Sequence, residues 1–175
     1  MKTRILIAAL ALVFGFSTLA HAGKEEVTHF GHKLKAVFPN SMTHTEKKLD
    51  STEGQISFEN YVCIADDKVL QLSIMYSEKL ELKHQDLETR AQEFIEGVDR
   101  QAKNMKVLKR GVSDLNKNCP AGYWFLIKYD GGVAHFWMTI TDNKFYTVCA
   151  HVKSEKDLLG AEVKAFLESV EIAKK

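Results

Sequence analysis

The sequence predicts an α+β fold in which an antiparallel sheet of about six strands lies between two amphipathic helices. Three observations lead to this prediction. Apolar residues recur at spacing two in several short segments separated by turn residues, which is typical of strands. Two longer segments repeat apolar residues at helical spacing instead. The most apolar strand segments are apolar on both alternating faces, so each face of the sheet needs a cover.

The N-terminal segment, residues 1–22, predicts a secretory signal peptide. Two basic residues precede an apolar run from Ile5 to Phe16, and Ala20-His21-Ala22 has the small-x-small pattern of a signal peptidase site. The apolar run is shorter than the ~20 residues that span a membrane, so cleavage is favoured over a membrane anchor. We therefore expect a single soluble domain over residues 23–175 in the periplasm, with full secretion as the alternative.

The first half of the predicted sheet is a short strand followed by a hairpin. In the segment "HKLKAVFPN" apolar residues alternate until Pro39 stops the strand. Segments 54–65 and 68–76 alternate in the same way. The residues between them, Asp66-Asp67, are typical of a turn, so these two strands are expected to form a hairpin.

A change of period marks the first helix, which is predicted from Leu87 to Met105. Its apolar residues follow helical spacing with charged and amide residues between them, which indicates an amphipathic helix of about five turns. One face of this helix is expected to cover the sheet. Gly97 lowers the helix propensity of its middle.

The second half of the chain predicts further strands and a second helix. Gly131-Gly132 and Asp142-Asn143 are expected to join the last three strands as tight hairpins. Ser154, with Asp157 three residues later, has the pattern of a capping box, and a second amphipathic helix follows it. The strands are predicted over residues 106–115, 123–130, 133–141 and 144–152.

Four short motifs punctuate this order of elements. They are "AVFPN" at the end of the first strand, the loop "CPAGYWF", the last strand "KFYTVCAHV" and the ending "FLESVEI". Over roughly Phe30 to Ile172 the layout resembles the PsbP-like superfamily, which includes PsbP of photosystem II, the nuclear import factor Mog and exported bacterial proteins. The resemblance implies their fold and a role in binding or stabilising protein complexes without catalysis. It transfers no functional residue to this chain.

Charge and motif content argue against several classes of function. Lys and Arg number 24 against 23 Asp and Glu, and the signs are interleaved, whereas nucleic acid needs a basic face. No glycine-rich phosphate loop or nucleophile elbow occurs in the sequence, and no cofactor is expected. We expect a monomer that binds an unknown protein of the cell envelope. The alternative is a small apolar ligand held between helix and sheet.

Two groups of residues carry candidate chemistry. Cys149 and His151 lie two apart on a predicted strand and so share a face, where they could act as nucleophile and base. Catalysis is not expected, because neither an orienting group nor an oxyanion site is recognisable beside them. His29 and His32, with His44 nearby, could bind a metal, but the His-x-x-His spacing is common by chance, so a solvated segment is favoured and no metal is expected.

Strand register also predicts whether His135 and His151 share a face of the sheet and which cysteines can form a disulfide. A turn at Asp142-Asn143 places residue 135 opposite 150, so His135 and His151 should lie on opposite faces. The chain has three cysteines, which allows at most one disulfide in an oxidising compartment. Strand register places Cys119 beyond the ~7 Å Cα separation that would allow a bridge to Cys149. We expect Cys63–Cys149 with Cys119 free, and Cys63–Cys119 stays open.

Aromatic residues crowd the C-terminal strands of the predicted sheet. Residues in the middle of strands, such as Trp124 and Trp137, are expected in the core, because most aromatic side chains are buried. Tyr123 and Tyr129 lie near strand ends. They are predicted as surface contacts for a partner, because tyrosine is favoured at interfaces.

Overall fold

The structure is a computed structural model that describes residues 24–29, 34–51, 54–77, 81–83 and 86–173. The predicted signal peptide and His32 lie outside these residues, as does the side chain of His29. No helix in the described part of the chain has both the length and the apolar character needed to cross a bilayer.

The described chain alternates strand hairpins with two α-helices. The first half contains β1 (Glu25–His29), β2 (Leu34–Phe38), β3 (Thr43–Ser51), β4 (Gly54–Ala65), β5 (Lys68–Ser77) and α1 (Leu87–Asp99). The second half contains β6 (Lys106–Asp114), β7 (Ala121–Tyr129), β8 (Gly132–Thr141), β9 (Lys144–Val152), a 3-10 helix (Glu155–Leu159), α2 (Ala161–Ser169) and β10 (Glu171–Ile172).

Most of the described strands join one antiparallel sheet with the order β3-β4-β5-β9-β8-β7-β6. Helix α1 packs on β7 and β8 over one face of this sheet. The other face buries a second core cluster against α2 and a small sheet with the order β1-β2-β10. The predicted α+β class and the cover on both faces are therefore confirmed. Two details differ, since the main sheet has seven strands and a small sheet shares the second cover with α2.

Strand β3 has no counterpart among the predicted strands. Its sequence, THTEKKLDS, lacks alternating apolar residues, because it is an edge strand that contributes little to the core. It nevertheless pairs with β4 along its whole length. The exposed charges of Glu46, Lys47 and Lys48 are typical of an edge that must not recruit a further strand.

Both helices are shorter than predicted. Helix α1 ends at Asp99, although Ala102 and Met105 still pack against the same core cluster. The predicted second helix is divided at Gly160 into the 3-10 helix and α2. The Ser154 hydroxyl donates to the Asp157 carboxylate at 2.6 Å. The two side chains therefore bond to each other, and the Ser154 side chain does not cap the backbone of the 3-10 helix.

The turns fix the register of the hairpins. Asp142 and Asn143 both have positive φ and join β8 to β9 as predicted, so His135 lies opposite Ala150. The turn between β7 and β8 was predicted one residue too late. Tyr129 pairs with Gly132, so the turn residues are Asp130 and Gly131.

Candidate functional site

A cavity of about 410 Å³ lies between the C-terminal end of α1 and the face of the sheet beneath it. Alternate residues of the strands form its floor, because only every second side chain faces the helix. Val98 of α1 and Ala102 of the turn after it form the roof. The floor consists of Gln71, Ile127, Ala134, Phe136, Cys149 and His151.

The rim of this cavity is polar, and hydrogen bonds join two of its segments that are distant in sequence. Lys103 and Asp130 lie at the rim, one after α1 and one in the β7–β8 turn. The Asn104 amide donates to both oxygens of the Asp130 carboxylate at 3.0 and 3.1 Å, and the Asp130 N–H donates to the Lys103 carbonyl at 3.3 Å. These bonds attach the segment after the helix to the hairpin and define one end of the cavity.

His151 and Tyr129 form a stacked pair at the same end of the cavity. Their ring centroids are 5.4 Å apart, and His151 Nε2 lies 3.2 Å from the Gly131 carbonyl oxygen. Because a carbonyl only accepts, this bond requires the proton on Nε2. Burial lowers the pKa of His151 and raises the pKa of Tyr129 to about 12, so both rings are neutral at pH 7.

Gly132 is needed for the close approach of this hairpin to β9. Its φ is +138°, and a Cβ there would lie 2.3 Å from the Val152 carbonyl oxygen and 2.9 Å from His151 Nε2. Any side chain would therefore displace the imidazole that forms part of the cavity floor.

Cys149 and His151 share a face, as predicted, and both line the cavity. Burial raises the pKa of the Cys149 thiol, whereas it lowers the pKa of His151. A Cys–His nucleophile works as a thiolate stabilised by a cationic neighbour, and burial disfavours both of those charged forms here. The pair is suited to forming a neutral wall.

Gln71 is the one amide side chain set into the floor, where it is 7% exposed. Its Nε2 donates to Asn60 Oδ1 at 3.2 Å and to Ser73 Oγ at 2.8 Å. Together with Phe136 and Cys149, it also lines a smaller adjoining cavity of about 30 Å³. Gln71 therefore stands at the junction of the two spaces.

The predicted Cys63–Cys149 disulfide is not formed. The described chain includes all three cysteines, and each is a buried free thiol. Cys63 pairs with Leu70, which pairs with Ala150, whereas Cys149 pairs with Gln71. The Cys63 and Cys149 side chains therefore point to opposite faces of the sheet, and the backbone layer separates them. The prediction overlooked that the two cysteines lie opposite adjacent residues of β5, whose side chains face opposite ways.

Cys119 is a free thiol on the same side of the sheet as Cys63. Its Sγ donates to the Val170 carbonyl oxygen at 3.3 Å, inside the cluster that contains α2. Cys119, two residues before β7, therefore holds the start of that strand against the end of α2. Neither Cys119 nor Cys63 lies on the cavity side of the sheet.

The two tyrosines predicted as surface contacts differ in exposure. Tyr123 is only 6% exposed, so its predicted surface role is wrong. It lies near the end of β7, but β6 extends the sheet beyond it and the cluster under α1 surrounds it. Tyr129 is half-buried and lines the cavity.

Among the side chains that the structure describes, His44 and His135 do not share a site with these residues. His44 stacks on Tyr61 with ring centroids 4.5 Å apart. His135 lies on the opposite face from His151, as predicted, and burial lowers its pKa. Among the residues that the structure describes, no three His, Cys, Asp or Glu side chains are placed to hold a metal ion.

A second candidate surface is the β6 edge, which we define as the outer side of Lys106–Asp114. This strand ends the main sheet in the described residues. Val112 is 70% exposed, and Val107 and Leu108 are also exposed. Three cations lie among these apolar residues, namely Lys106, Lys109 and Arg110.

Sequence reasoning did not locate either surface in detail. The signal for the cavity is in "KVLQLSIMY", where Gln71 and Ser73 interrupt the face of β5 that turns toward α1. Polar residues on a covered face indicate that the cover is incomplete or that they meet a polar partner. The sequence analysis assigned no role to Gln71 or Ser73.

Comparison with known proteins yields similarity in fold only. No family model matches the chain, and no curated protein matches its sequence. Among solved structures, it is similar to the cyanobacterial PsbP of Synechocystis sp. PCC 6803, with 11% identity, a TM-score of 0.53 and coverage of 92% of this chain and 99% of that one. A Pseudomonas aeruginosa protein of unknown function is also 11% identical, with a TM-score of 0.37 and coverage of 78% and 86%. The first of these supports the PsbP-like fold.

Proposed function

We propose that this chain is an exported, non-enzymatic binding protein that holds a small apolar molecule in the cavity between α1 and the sheet. The observation that carries the proposal is the cavity itself. Its volume of about 410 Å³ lies within the ~300–1,000 Å³ typical of small-molecule sites. It is between two and three times the ~150 Å³ of an engineered apolar cavity that binds benzene. A ligand of two or three ring-sized groups fits this space.

The floor of the cavity favours an uncharged ligand. Ile127, Ala134 and Phe136 are apolar, and the shifts in the pKa values of Tyr129 and His151 keep both groups neutral near pH 7. A buried charge on the ligand would lose its hydration without meeting an opposite charge on the floor. The charged groups Lys103 and Asp130 lie at the rim instead.

The test is to fill the cavity and measure binding of the uncharged fluorescent probe phenylnaphthylamine. Ala134 is a buried floor residue, so Ala134→Leu places three carbons into the space. Ala165→Leu makes the same change on the exposed side of α2, away from the cavity, and is the matched control. We expect saturable binding by the wild type, retained binding in Ala165→Leu and at least a tenfold loss in Ala134→Leu.

Circular dichroism melting confirms that both variants are folded before binding is compared. The proposal fails if the wild type does not bind the probe saturably. It also fails if folded Ala134→Leu binds the probe as tightly as the control does.

A second candidate function, contact with a partner protein, is supported by the β6 edge. A terminal strand with unused pairing capacity can add an extended segment of another chain. The cations Lys106, Lys109 and Arg110 favour an acidic segment, and the exposed Val112 favours one with alternating apolar residues. This corresponds to an accessory role in the cell envelope through a partner with an acidic strand.

A synthetic extended peptide of alternating valine and glutamate tests this second function. Arg110→Glu reverses a charge on the β6 edge, and Lys47→Glu makes the same reversal on β3 at the opposite edge. We expect the peptide to bind the wild type, more weakly at high salt, and to lose affinity only with Arg110→Glu. Equal loss in both variants would mean that net charge, and not this edge, is responsible.

A further inference from the structure

The ligand class can be narrowed by the one buried amide on the cavity floor, an inference that rests on the function proposed for this cavity. Both N–H groups of Gln71 are used, by Asn60 Oδ1 at 3.2 Å and by Ser73 Oγ at 2.8 Å. Within the described residues, no hydrogen bond reaches its carbonyl oxygen, Oε1. Gln71 is 7% exposed and lines the cavity, so this acceptor has little access to solvent except through the cavity.

We propose that the cavity binds an uncharged alcohol or phenol whose apolar body lies under Val98 and whose hydroxyl donates to Gln71 Oε1. A hydroxyl is the donor that suits this position because it adds no charge. An ammonium group would bring a charge into a floor that contains no anion. A carboxylate could only accept at neutral pH, so it could not satisfy Gln71 Oε1.

The position of Gln71 sets the orientation of the ligand. Gln71 lies on β5 opposite Cys149 of β9, at the junction with the smaller cavity. Ile127 and Ala134 lie on the neighbouring strands toward the β7–β8 turn. The hydroxyl therefore points inward and the apolar body occupies the larger space.

His151 is a second neutral acceptor on the floor of the cavity. Its Nε2 donates to the Gly131 carbonyl, which leaves Nδ1 able to accept. His151 lies at the end formed by the β7–β8 turn, beside Tyr129. A hydroxyl bound there would leave Gln71 Oε1 without a donor, so Gln71 is the assigned acceptor and His151 is tested as the competitor.

The experiment compares three ligands of nearly equal size: para-hydroxybiphenyl, para-methoxybiphenyl and para-methylbiphenyl. The first both donates and accepts a hydrogen bond, the second only accepts, and the third does neither. We expect the hydroxyl compound to bind the wild type roughly tenfold more tightly than the other two, which is the upper range for one net hydrogen bond.

Two variants assign the acceptor. Gln71→Met keeps the length of the side chain and removes the amide, so the hydroxyl compound should lose its advantage over para-methylbiphenyl. His151→Phe keeps a ring beside Tyr129 and should retain the advantage. If Gln71→Met does not fold, the order of the three ligands on the wild type still tests the proposal.

The outcomes separate this inference from the function on which it rests. If neither phenylnaphthylamine nor any biphenyl binds, the cavity is not a ligand site. If the probe binds but the three biphenyls bind equally, the alcohol is wrong and the cavity remains a site. If the methoxy compound binds as tightly as the hydroxyl compound, and both bind more tightly than para-methylbiphenyl, the ligand accepts a hydrogen bond from the cavity, and the assignment of a donor hydroxyl is overturned. Loss of the preference in His151→Phe alone would also overturn it.

Discussion

Gly122 of β7 allows a test of how tightly the core around Trp137 is packed. A Cβ at this position would lie 2.4 Å from Trp137 Cε2 and 2.5 Å from both Trp137 Nε1 and the Met138 carbonyl oxygen. Favourable carbon contacts occur at ~3.5–4.0 Å, so Gly122→Ala requires the indole to move by about 1 Å or more. Trp137 is 1% exposed, so the indole cannot relieve the clash by moving out into solvent without leaving the core.

The cost follows from two effects on Trp137. Overpacking a filled core typically costs about 1–3 kcal/mol. The indole Nε1 also donates to the Ser113 carbonyl oxygen at 3.0 Å, and a shift that breaks this bond leaves a buried donor unsatisfied. That loss adds about 1–3 kcal/mol. Gly122→Ala should therefore lower the free energy of unfolding by roughly 2–6 kcal/mol, or the melting temperature by on the order of 10 °C for a domain of this size.

Gly97→Ala is the matched control because it makes the same substitution in α1. The nearest atom to a Cβ there is Arg100 Nη2 at 3.9 Å, an ordinary contact. Replacing glycine inside a helix should stabilise the fold by about 0.5–1 kcal/mol. Urea unfolding followed by far-UV circular dichroism measures both variants. An unchanged midpoint for Gly122→Ala, or an equal loss in Gly97→Ala, would refute the packing argument.

Four further predictions concern buried polar groups. Burial raises the pKa values of Tyr146 and Cys149 in the folded protein. The stability that these two neutral groups contribute is complete below their ordinary pKa values of about 8.5–10 and is lost as the pH rises above those values. The midpoint of urea unfolding should therefore fall between about pH 8 and pH 10.5. Burial lowers the pKa of His135, so its contribution is complete above about 6.5 and is lost as pH falls, and His135→Gln should reduce the loss of stability between pH 7 and pH 5. Glu59→Leu removes the acceptor for the Tyr61 hydroxyl at 3.0 Å and should cost about 1–3 kcal/mol in chemical denaturation. Dithiothreitol should leave the melting temperature unchanged, because the three cysteines are free thiols; a reductant-dependent shift would contradict this.

Local patterns predicted those parts of the fold that local chemistry determines. Asp142-Asn143 defines a tight hairpin because aspartate and asparagine tolerate positive φ, and the register of His135 follows from it. Strand β3 escaped prediction for the opposite reason. Its pairing depends on the neighbouring β4, and an exposed edge strand has no need for an apolar face. No property of the segment THTEKKLDS alone distinguishes it from a loop.

Whether the residues of the candidate site meet depends on which face of the sheet each side chain occupies and on how deeply it is buried. The sequence alone constrains both properties weakly. Cys149 and His151 were correctly placed on one face, because residues two apart on a strand always share a face. The pairing of Cys63 with Cys149 required knowing the relative register of β5 and β9, which are far apart in sequence and adjacent in the sheet. A shift of one residue decides whether two side chains meet or lie on opposite faces.

The early end of α1 explains both the main error in its predicted length and the existence of the cavity. Helical spacing continues to Ala102 and Met105 because both still bury against the sheet, so periodicity records burial more faithfully than helix length. The chain leaves the helix at Asp99, and Asn104 adopts a φ of +56° while its amide binds Asp130. A helix continued from residue 99 to 105 would extend about 9 Å further over the floor. The turn instead spans the same floor with the small side chain of Ala102, and the unfilled space beneath it is the proposed binding site.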